Sequence, residues 1–294
     1  MLSIVIPCFN SFESLNRILE SLQCIRNRIQ VIVVDDCSTE PVCDLKSNFL
    51  WVDFYRLEEN SGAGAARNYG LARVQKPFVS FIDADDTIDV DILSQAIDSL
   101  KDEIADIQFY MPTSHTSCGD KGRRHERYSE LISSYLSGSD TESIKYKFHV
   151  PWSKIYRVSM LNANDINFDE TLASNDVIFS LKSALSANII NVNDKGFYSV
   201  FENDSGLTGS DSVEKLKDRL KVLIRYNRYI RRGYNEHYQI SAIPLIYRAL
   251  KLGPSNFLKI VRNNNLSFFI DVLPKRSSVI SLYRSALRVI KKKG

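Results

Sequence analysis

Short apolar segments alternate with segments of helical periodicity through the first ninety residues of this 294-residue chain. The sequence predicts strands at Leu2–Pro7, Gln30–Val34, Val52–Leu57 and Ser80–Ile82. It predicts a first helix whose apolar face carries Leu15, Ile18, Leu19 and Leu22, with Asn10 and Glu13 as a capping box, and a second helix from Gly62 to Val74. Strands that alternate with helices form parallel β-α-β units with right-handed crossovers, so we expect an α/β fold with a mostly parallel central sheet.

Acidic residues follow two of these predicted strands. Asp35 and Asp36 come directly after the second strand, and the fourth runs into Asp83, Asp85 and Asp86. Ligands of an open parallel sheet bind beyond the carboxyl ends of its strands, so we expect both acidic groups to meet the segment from Pro7 to Phe9 in one crevice. Magnesium and manganese accept one or two carboxylates together with water and phosphate oxygens, so this pattern suits a metal-bound diphosphate.

The helix of small residues near Gly62 has two interpretations. Its Gly62-Ala-Gly64 resembles the start of a dinucleotide fingerprint, but Arg67 stands at the third glycine position and the segment follows the third strand, so NAD binding is not expected. Small residues at a helix N-terminus let backbone approach an anionic ligand, and Arg67 would then meet its charge. The same residues also permit close packing of the helix on the sheet, and both interpretations can hold.

Four blocks of sequence, in this order, resemble the signature blocks of the GT-A-fold family 2 glycosyltransferases of the bacterial surface polysaccharide type. The blocks are Ser3–Asn10, Val33–Ser38, Asn60–Gly62 with Ala66–Asn68, and Phe81–Asp86. The resemblance is strong over residues 1–110, moderate over 150–210 and weak beyond. It implies a GT-A fold and transfer of a hexosyl or N-acetylhexosaminyl group from a nucleotide-sugar, most often a UDP-sugar.

The resemblance also implies roles for individual residues. The nucleotide-sugar would be bound by Pro7, Phe9, Asp35, Asp36, Gly62, Arg67, Asp83 and Ala84, and Asp85 would be the principal ligand of a divalent cation, Mn²⁺ or Mg²⁺. The family's usual glycine in the second block is Cys37 here, a change between small residues that we expect to be tolerated.

The catalytic base and the acceptor side are expected between residues 151 and 179. Asp176 is the candidate base, and its usual acidic partner is replaced by Asn175. The alternative is that Asn175 or Asp176 serves as the N-cap of the following helix. Trp152, Lys154 and Asn175 are candidate acceptor-binding residues. Trp152 would stack on a sugar ring and Lys154 would donate hydrogen bonds to sugar hydroxyls or phosphate, although both residue types also occur in protein cores.

Composition is consistent with an enzyme inside the cell. At 44% hydrophobic residues the chain can bury a substantial core, and its five cysteines are odd in number and lack a CxxC pair, which favours a reducing cytoplasm. The short apolar start of the chain does not resemble a signal peptide, and no run of about eighteen apolar residues predicts a membrane-spanning helix. We therefore expect a cytoplasmic protein.

Positive charge is concentrated near the carboxyl terminus. Residues 211–294 contain 19 Lys and Arg against 5 Asp and Glu, a net charge of +14, which leaves −11 of the overall +3 for residues 1–210. A basic amphipathic helix predicted at 279–290 and the apolar segment 256–273 favour peripheral binding to the inner face of the cell membrane. Packing on the catalytic part or on a second subunit, as in a homo-oligomer, is the alternative; nucleic acid is not expected, because no binding module accompanies the charge.

These observations predict three regions. Residues 1–110 form a nucleotide-sugar-binding half, 111–210 an acceptor-binding and catalytic-base half, and 211–294 a basic helical region. Thr113–Arg127 is expected to be a surface loop, and Ser205–Thr208 a loop that closes over the donor. The predicted function is metal-dependent, inverting transfer of a sugar to a saccharide acceptor, with a lipid-diphosphate-linked acceptor in O-antigen or capsule synthesis. A nucleotidyltransferase of similar fold and a non-catalytic assembly scaffold are the alternatives.

Overall fold

The computed structural model describes residues 1–40, 42–202 and 212–253. Its strands are β1 (Leu2–Cys8), β2 (Ile29–Asp35), β3 (Val52–Arg56), β4 (Phe78–Phe81), β5 (Thr87–Ile88), β6 (Ile107–Tyr110), β7 (Thr113–Thr116), β8 (Lys154–Arg157), β9 (Ile190–Asn193) and β10 (Tyr198–Glu202). Its helices are α1 (Phe12–Leu22), α2 (Gly62–Leu71), α3 (Val90–Ser99), α4 (Glu126–Leu136), α5 (Ser143–Lys147), α6 (Val158–Ala163), α7 (Val177–Ser186), α8 (Val213–Ile230) and α9 (Ile243–Lys251). Short 3-10 helices occupy Gln23–Arg28, Val42–Ser47 and Glu236–Tyr238.

The chain forms two compact units. The first contains Met1–Thr171 and the described part of Asn175–Gly209, and the second contains Leu172–Ser174 and the described part of Ser210–Gly294. Apart from Leu172–Ser174, the described parts of the predicted halves 1–110 and 111–210 fall in the first unit, so the division between these halves stays a prediction.

A mixed sheet forms the centre of the first unit. Its strand order is β3-β2-β1-β4-β8-β6-β9, and the first four strands are parallel to one another. Strand β8 runs antiparallel to both β4 and β6, and β9 is parallel to β6. Every residue of β1 and β2 is buried, as expected for central strands covered on both faces. The predicted α/β fold with a mostly parallel sheet is confirmed.

The apolar face predicted for the first helix is buried, but the predicted capping box does not form. Helix α1 begins after Ser11, and no side chain accepts a hydrogen bond at its N-cap. The side chain of Asn10 instead accepts hydrogen bonds from the backbone N–H and the hydroxyl of Thr39, at 2.9 and 3.0 Å. Asn10, at φ 51°, therefore connects the loop after β1 with the loop after β2.

The segment predicted as a surface loop, Thr113–Arg127, contains regular structure. Residues Thr113–Thr116 form β7, which pairs in parallel with β10 in a separate sheet of order β5-β10-β7. The loop interpretation was wrong here because β7 is short and polar, and its partner lies more than eighty residues away along the chain.

Helices form the described part of the second unit. The apolar residues of α8 and α9 pack together, with Leu216, Leu220, Ile224, Ala242 and Ala249 buried. The predicted helical carboxyl-terminal part is thus confirmed over residues 213–251. The predictions for Ser205–Thr208, 256–273 and 279–290 lie outside the described residues. Among the helices of the described ranges, none combines the length and hydrophobicity that crossing a bilayer requires.

Candidate active site

The carboxyl ends of β1, β2 and β4 lie side by side, which brings together the three sequence segments expected to form the crevice. Cys8 pairs with Asp35 at the end of the β1–β2 ladder, and the N–H of Asp36 donates to the carbonyl of Cys8 at 2.8 Å. On the other side of β1, the N–H of Ile82 donates to the carbonyl of Val5 at 3.1 Å. The site is therefore built on adjacent, hydrogen-bonded strand ends.

Asp35 is buried and holds the loop that follows β2. Its Oδ2 lies 2.6 Å from Arg56 Nη1, and its Oδ1 accepts a hydrogen bond from the N–H of Ser38 at 2.9 Å. Both oxygens are thus engaged within the protein. The contact of Asp35 with a nucleotide stays a prediction. In the structure, the buried Asp35 holds the loop that carries Asp36.

Asp36 joins this loop to the start of α2. Its two carboxylate oxygens accept hydrogen bonds from the N–H groups of Ser61 and Gly62, both at 2.8 Å. Burial raises the pKa of Asp36, and the two backbone hydrogen bonds act against that rise. Gly62 has φ 86°, a left-handed conformation that favours glycine at this junction.

Pro7 and Phe9 have different environments. Pro7 lies within β1 and is buried, whereas Phe9 is 47% exposed just beyond the strand end. An exposed aromatic ring beside a crevice offers a face against which a nucleotide base can stack. The environment of Phe9 is therefore compatible with the predicted contact between this segment and a nucleotide base.

The acidic segment after β4 directs its side chains to different places. Asp83 is half-buried and Asp85 is exposed, whereas Ala84 and Asp86 are buried. Asp85 forms no ion pair with any residue that the structure describes. Loss of surrounding water raises the pKa of Asp85, and the nearby charge of Asp83 raises it further. A cation bound to this carboxylate would reverse that effect.

Asp85 lines two neighbouring cavities of about 570 and 470 Å³ that also share Arg17 and Phe201. Within residues 1–40, 42–202 and 212–253, no group of three or more His, Cys, Asp or Glu side chains is placed to hold a metal ion. One accessible carboxylate beside open space fits Mg²⁺ or Mn²⁺, whose remaining ligands are water and substrate phosphate. It would not fit a resident metal enclosed by protein ligands.

A buried arginine connects the acidic segment with the predicted base. Arg67 Nη2 lies 2.5 Å from Asp83 Oδ1, and its Nη1 donates to Asn175 Oδ1 at 3.1 Å. The guanidinium carbon lies 5.4 Å from the ring centroid of Phe168, while the buried Nε has no hydrogen-bond partner in the structure. Arg67 thus reaches both the end of β4 and the residue that precedes Asp176.

Asp176 occupies the N-cap position of α7, but its side chain accepts no capping hydrogen bond. The carboxylate is therefore not committed to the helix, which was the alternative role. Burial raises the pKa of Asp176, and the positive charges of Arg67 and Lys154 oppose this rise. A carboxylate whose pKa is raised has a higher affinity for a proton and is therefore a better general base than an ordinary aspartate.

Aromatic packing explains how α7 comes to lie beside β4. The ring of Phe81 in β4 packs at 4.8 Å from that of Phe168 and at 5.5 Å from that of Phe179 in α7. Phe168 and Phe179 stack on each other at 3.8 Å. Because Asp83 follows Phe81 by two residues and Asp176 precedes Phe179 by three, this cluster brings both carboxylates to the same region.

The start of α2 packs closely on the segment before the base. A Cβ added to Gly64 would lie 2.1 Å from the carbonyl oxygen of Asp169, so only glycine fits there. Asn68 makes two hydrogen bonds with the backbone of Phe168, at 2.8 and 3.0 Å. The small residues of α2 therefore serve tight packing, and that packing in turn aims Arg67 into the site.

Trp152 and Lys154 are both buried. The indole of Trp152 lies among Tyr128, Phe148 and Tyr198, and it stacks on Tyr198 with the ring planes 4° apart. Lys154 Nζ donates to the carbonyl of Phe148 at 2.8 Å, and burial lowers the pKa of Lys154 well below its usual value. Neither residue offers an exposed face to a sugar here, and their contact with an acceptor stays a prediction.

Sequence reasoning missed Tyr198 and the structural role of Asp86. Tyr198 donates a short hydrogen bond to Asp86 and accepts one from the N–H of Asp83 at 3.2 Å. Asp86 and Tyr198 are 112 residues apart in the sequence, and no local sequence pattern indicates a contact over that distance. Cys37, at the family's glycine position, has φ 60°, so backbone conformation as well as size distinguishes that position.

An α/β sheet whose strand ends carry an accessible aspartate, with a half-buried carboxylate at the start of α7, is consistent with a glycosyltransferase of the GT-A fold. The family model described as Glycosyl transferase family 2 matches residues 3–164. Since this match covers more than half of the chain, the protein belongs to glycosyltransferase family 2, as the four sequence blocks predicted.

Named relatives support the same assignment. The poly(ribitol-phosphate) beta-N-acetylglucosaminyltransferase TarS of Staphylococcus aureus is 29% identical over 205 residues, which cover 67% of this chain and 35% of TarS. The chain thus spans about a third of the length of that relative.

Solved structures share the fold. The crystal structure of S. aureus TarS 1-349 in complex with UDP-GlcNAc superposes with a TM-score of 0.72 at 22% identity, covering 92% of this chain and 81% of the other. The mannosyltransferase PcManGT from Pyrobaculum calidifontis, in complex with GDP-Man and Mn²⁺, gives 0.52 at 14% identity, covering 90% of this chain and 80% of the other.

Proposed function

We propose that this glycosyltransferase is metal-dependent and inverting, and that it transfers a sugar from a UDP-sugar to a hydroxyl group of a saccharide acceptor. The observation that carries the proposal is the double contact of Arg67 with Asp83 and Asn175. This contact links the donor side of the crevice to Asp176, the carboxylate best suited to remove a proton.

Binding of the donor would use the strand ends and the acidic segment. The base would stack near Phe9, Asp83 would lie near the ribose or the sugar, and Asp85 would hold a divalent cation. When bound, such a cation offsets the negative charge that develops on the departing diphosphate. The choice of uridine is supported by the UDP-GlcNAc complex of TarS, and a cation by the Mn²⁺ complex of PcManGT.

Asp176 would act as the general base. Its carboxylate takes the proton of the acceptor hydroxyl while that oxygen attacks the anomeric carbon from the face opposite the diphosphate. The bond between the anomeric carbon and the diphosphate oxygen breaks, its electron pair leaves with UDP, and the configuration at the anomeric carbon inverts. Arg67 favours the ionised form of Asp176, which is the form that can accept the proton.

The acceptor we propose is a lipid-diphosphate-linked saccharide in bacterial surface polysaccharide synthesis, with O-antigen and capsule as the candidate products. An acceptor of that kind is presented at the inner face of the cell membrane, and the +14 charge of residues 211–294 suits anionic lipid. In α8 and just beyond it, the exposed cations Lys221, Arg225, Arg228 and Arg232 recur at helical spacing along one face. Each cation near an anionic surface contributes about 1 kcal/mol.

A panel of UDP-, GDP- and dTDP-sugars, assayed with and without Mn²⁺, tests the donor and the metal. We expect the wild-type protein to release UDP only when Mn²⁺ is present, and we expect Asp85→Asn to lose this activity. Asp91 is an exposed carboxylate of α3, and the control variant Asp91→Asn should retain the activity. Release of pyrophosphate would indicate nucleotidyl transfer instead. No turnover and no Mn²⁺-dependent UDP binding by the wild-type protein would indicate a non-catalytic scaffold. Unchanged UDP affinity in Asp85→Asn would contradict the metal assignment.

A further inference from the structure

Three buried side chains connect the segment before β8 with the acidic segment that carries the proposed metal ligand. Trp152 stacks on Tyr198 with 5.4 Å between ring centroids and the planes 4° apart. Tyr198 in turn contacts Asp86 through its hydroxyl group. All three side chains are at least 95% buried, so their geometry is set by packing inside the protein.

The hydroxyl of Tyr198 holds the acidic segment at two points. It donates to Asp86 Oδ2 and accepts from the N–H of Asp83 at 3.2 Å. The N–H of Asp86 also donates to the carbonyl of Asp83 at 3.2 Å, so these groups close a small turn. Asp85 is the exposed residue within this turn, and its direction depends on the two residues that Tyr198 contacts.

Asp86 extends the same connection to the wall of the cavities. Its Oδ1 accepts a hydrogen bond from the N–H of Phe201 at 2.7 Å. Phe201 lines both cavities in which Asp85 is found. The buried carboxylate therefore fixes the exposed one and an aromatic residue beside it at the same time.

We propose that Trp152, Tyr198 and Asp86 are positioning residues for donor binding, and that Trp152 acts through Tyr198 rather than on the acceptor sugar. The inference rests on the proposed function, because it concerns the same metal-bound UDP. Among the residues that the structure describes, no group of three or more His, Cys, Asp or Glu is placed to hold a metal ion, so the affinity for the cation and its diphosphate depends on how firmly the turn that carries Asp85 is held.

The test is the affinity of the 294-residue protein for UDP in the presence of Mn²⁺, measured by titration calorimetry, which requires no knowledge of the acceptor. Tyr198→Phe keeps the ring and its stack on Trp152 but removes the hydroxyl. We expect its dissociation constant for UDP to rise about tenfold, because the hydrogen bonds of the hydroxyl group with Asp86 and with the N–H of Asp83 are lost. For Trp152→Phe, which weakens the stack but keeps the hydroxyl, we expect a rise of about threefold.

Tyr110→Phe is the matched control. Tyr110 is also buried, and its hydroxyl also donates to a side chain, Gln108 Oε1 at 2.6 Å, but it has no contact with the acidic segment. We expect this variant to lose thermal stability while its UDP affinity remains that of the wild type. A loss confined to Tyr198→Phe and Trp152→Phe would support the inference.

Other outcomes overturn it. If Tyr198→Phe binds UDP as the wild type does, or if Tyr110→Phe weakens binding equally, the hydroxyl has only a general structural role. If Trp152→Phe leaves UDP affinity unchanged, Trp152 does not act through Tyr198. Should Tyr198→Phe fail to fold, Asp86→Asn and Trp152→Phe give the same comparison. A wild-type protein that does not bind UDP with Mn²⁺ would instead contradict the proposed function itself.

Discussion

Replacement of Asp176 by asparagine is expected to abolish sugar transfer and, at the same time, to stabilise the protein. The amide has nearly the same shape as the carboxyl group but cannot accept the acceptor's proton. General base catalysis contributes about 10²- to 10⁴-fold to a rate, so we expect the turnover number to fall by that factor. Binding of UDP with Mn²⁺ should be retained, because Asp176 is not among the predicted donor contacts.

The gain in stability follows from the direction of the pKa shift. Burial disfavours the charged form of Asp176 and raises its pKa in the folded protein. Arg67 opposes this only in part, because its guanidinium is already engaged with Asp83 and Asn175. An ionised Asp176 therefore destabilises the folded state, and each unit by which the pKa is raised is worth about 1.4 kcal/mol.

The sign of the pH dependence distinguishes this explanation from a general packing effect. The destabilisation caused by ionised Asp176 is absent below the unfolded-state pKa of about 3.9. It grows as the pH rises toward the folded-state pKa and is constant above that pKa. The excess stability of Asp176→Asn should follow the same course, with a gain in Tm of about 2–4 °C for each kcal/mol. In the wild type, the acidic limb of the turnover profile should lie at higher pH than the titration of an ordinary aspartate, because the base must be ionised and its pKa is raised.

Thermal unfolding from pH 4 to 8 and a UDP-release assay measure both effects. Asp194→Asn, an exposed carboxylate of the same unit, is the control and should change neither. A variant that is inactive but less stable than the wild type at neutral pH would refute the argument from burial. Wild-type turnover in Asp176→Asn would remove this residue as the base.

Three further substitutions test other parts of the site. Arg67→Lys can satisfy only one of the two partners that the guanidinium holds, so we expect a loss of about 2 kcal/mol in stability and a weaker affinity for UDP with Mn²⁺; unchanged affinity would contradict the connecting role. Gly64→Ala places a Cβ 2.1 Å from the backbone of Asp169 and should cost about 3 kcal/mol in urea unfolding, and a loss below 1 kcal/mol would mean that this contact is easily relieved. Cys37 has φ 60°, so we expect Cys37→Val to lower the free energy of unfolding by about 2 kcal/mol and Cys37→Gly to be tolerated. Equal losses of stability in the two variants would show that backbone conformation does not constrain this position.

Much of the sheet could be predicted because its central strands are continuous apolar runs. Strands β1 and β2 are wholly buried, and their sequence shows it without knowledge of their neighbours. Strand β7 could not be predicted, since Thr-Ser-His-Thr carries no apolar pattern and acquires its structure from β10. The antiparallel insertion of β8 between β4 and β6 is likewise a property of long-range pairing.

The sequence predicts the location of the site better than it predicts the role of each residue in the site. Strand ends that bear acids must meet at one edge of a parallel sheet, and they do. Whether a given acid faces a ligand or the protein depends on the backbone of the turn that carries it. Adjacent residues therefore differ, as Asp85 is exposed while Asp86 is buried and hydrogen-bonded to Tyr198.

This division between exposed and buried acids has a physical reason. A carboxylate that binds a cation must leave its lone pairs accessible, so other groups have to hold its backbone in place. Buried carboxylates are suited to that task, because each can accept several N–H and O–H hydrogen bonds and is costly to move once these are made. Asp35 and Asp36 each accept two hydrogen bonds around the loop after β2, and Asp86 does the same after β4. Asp86 thus supports the turn from which the exposed Asp85 projects, and removal of Asp86 should weaken donor binding without any contact between Asp86 and the donor.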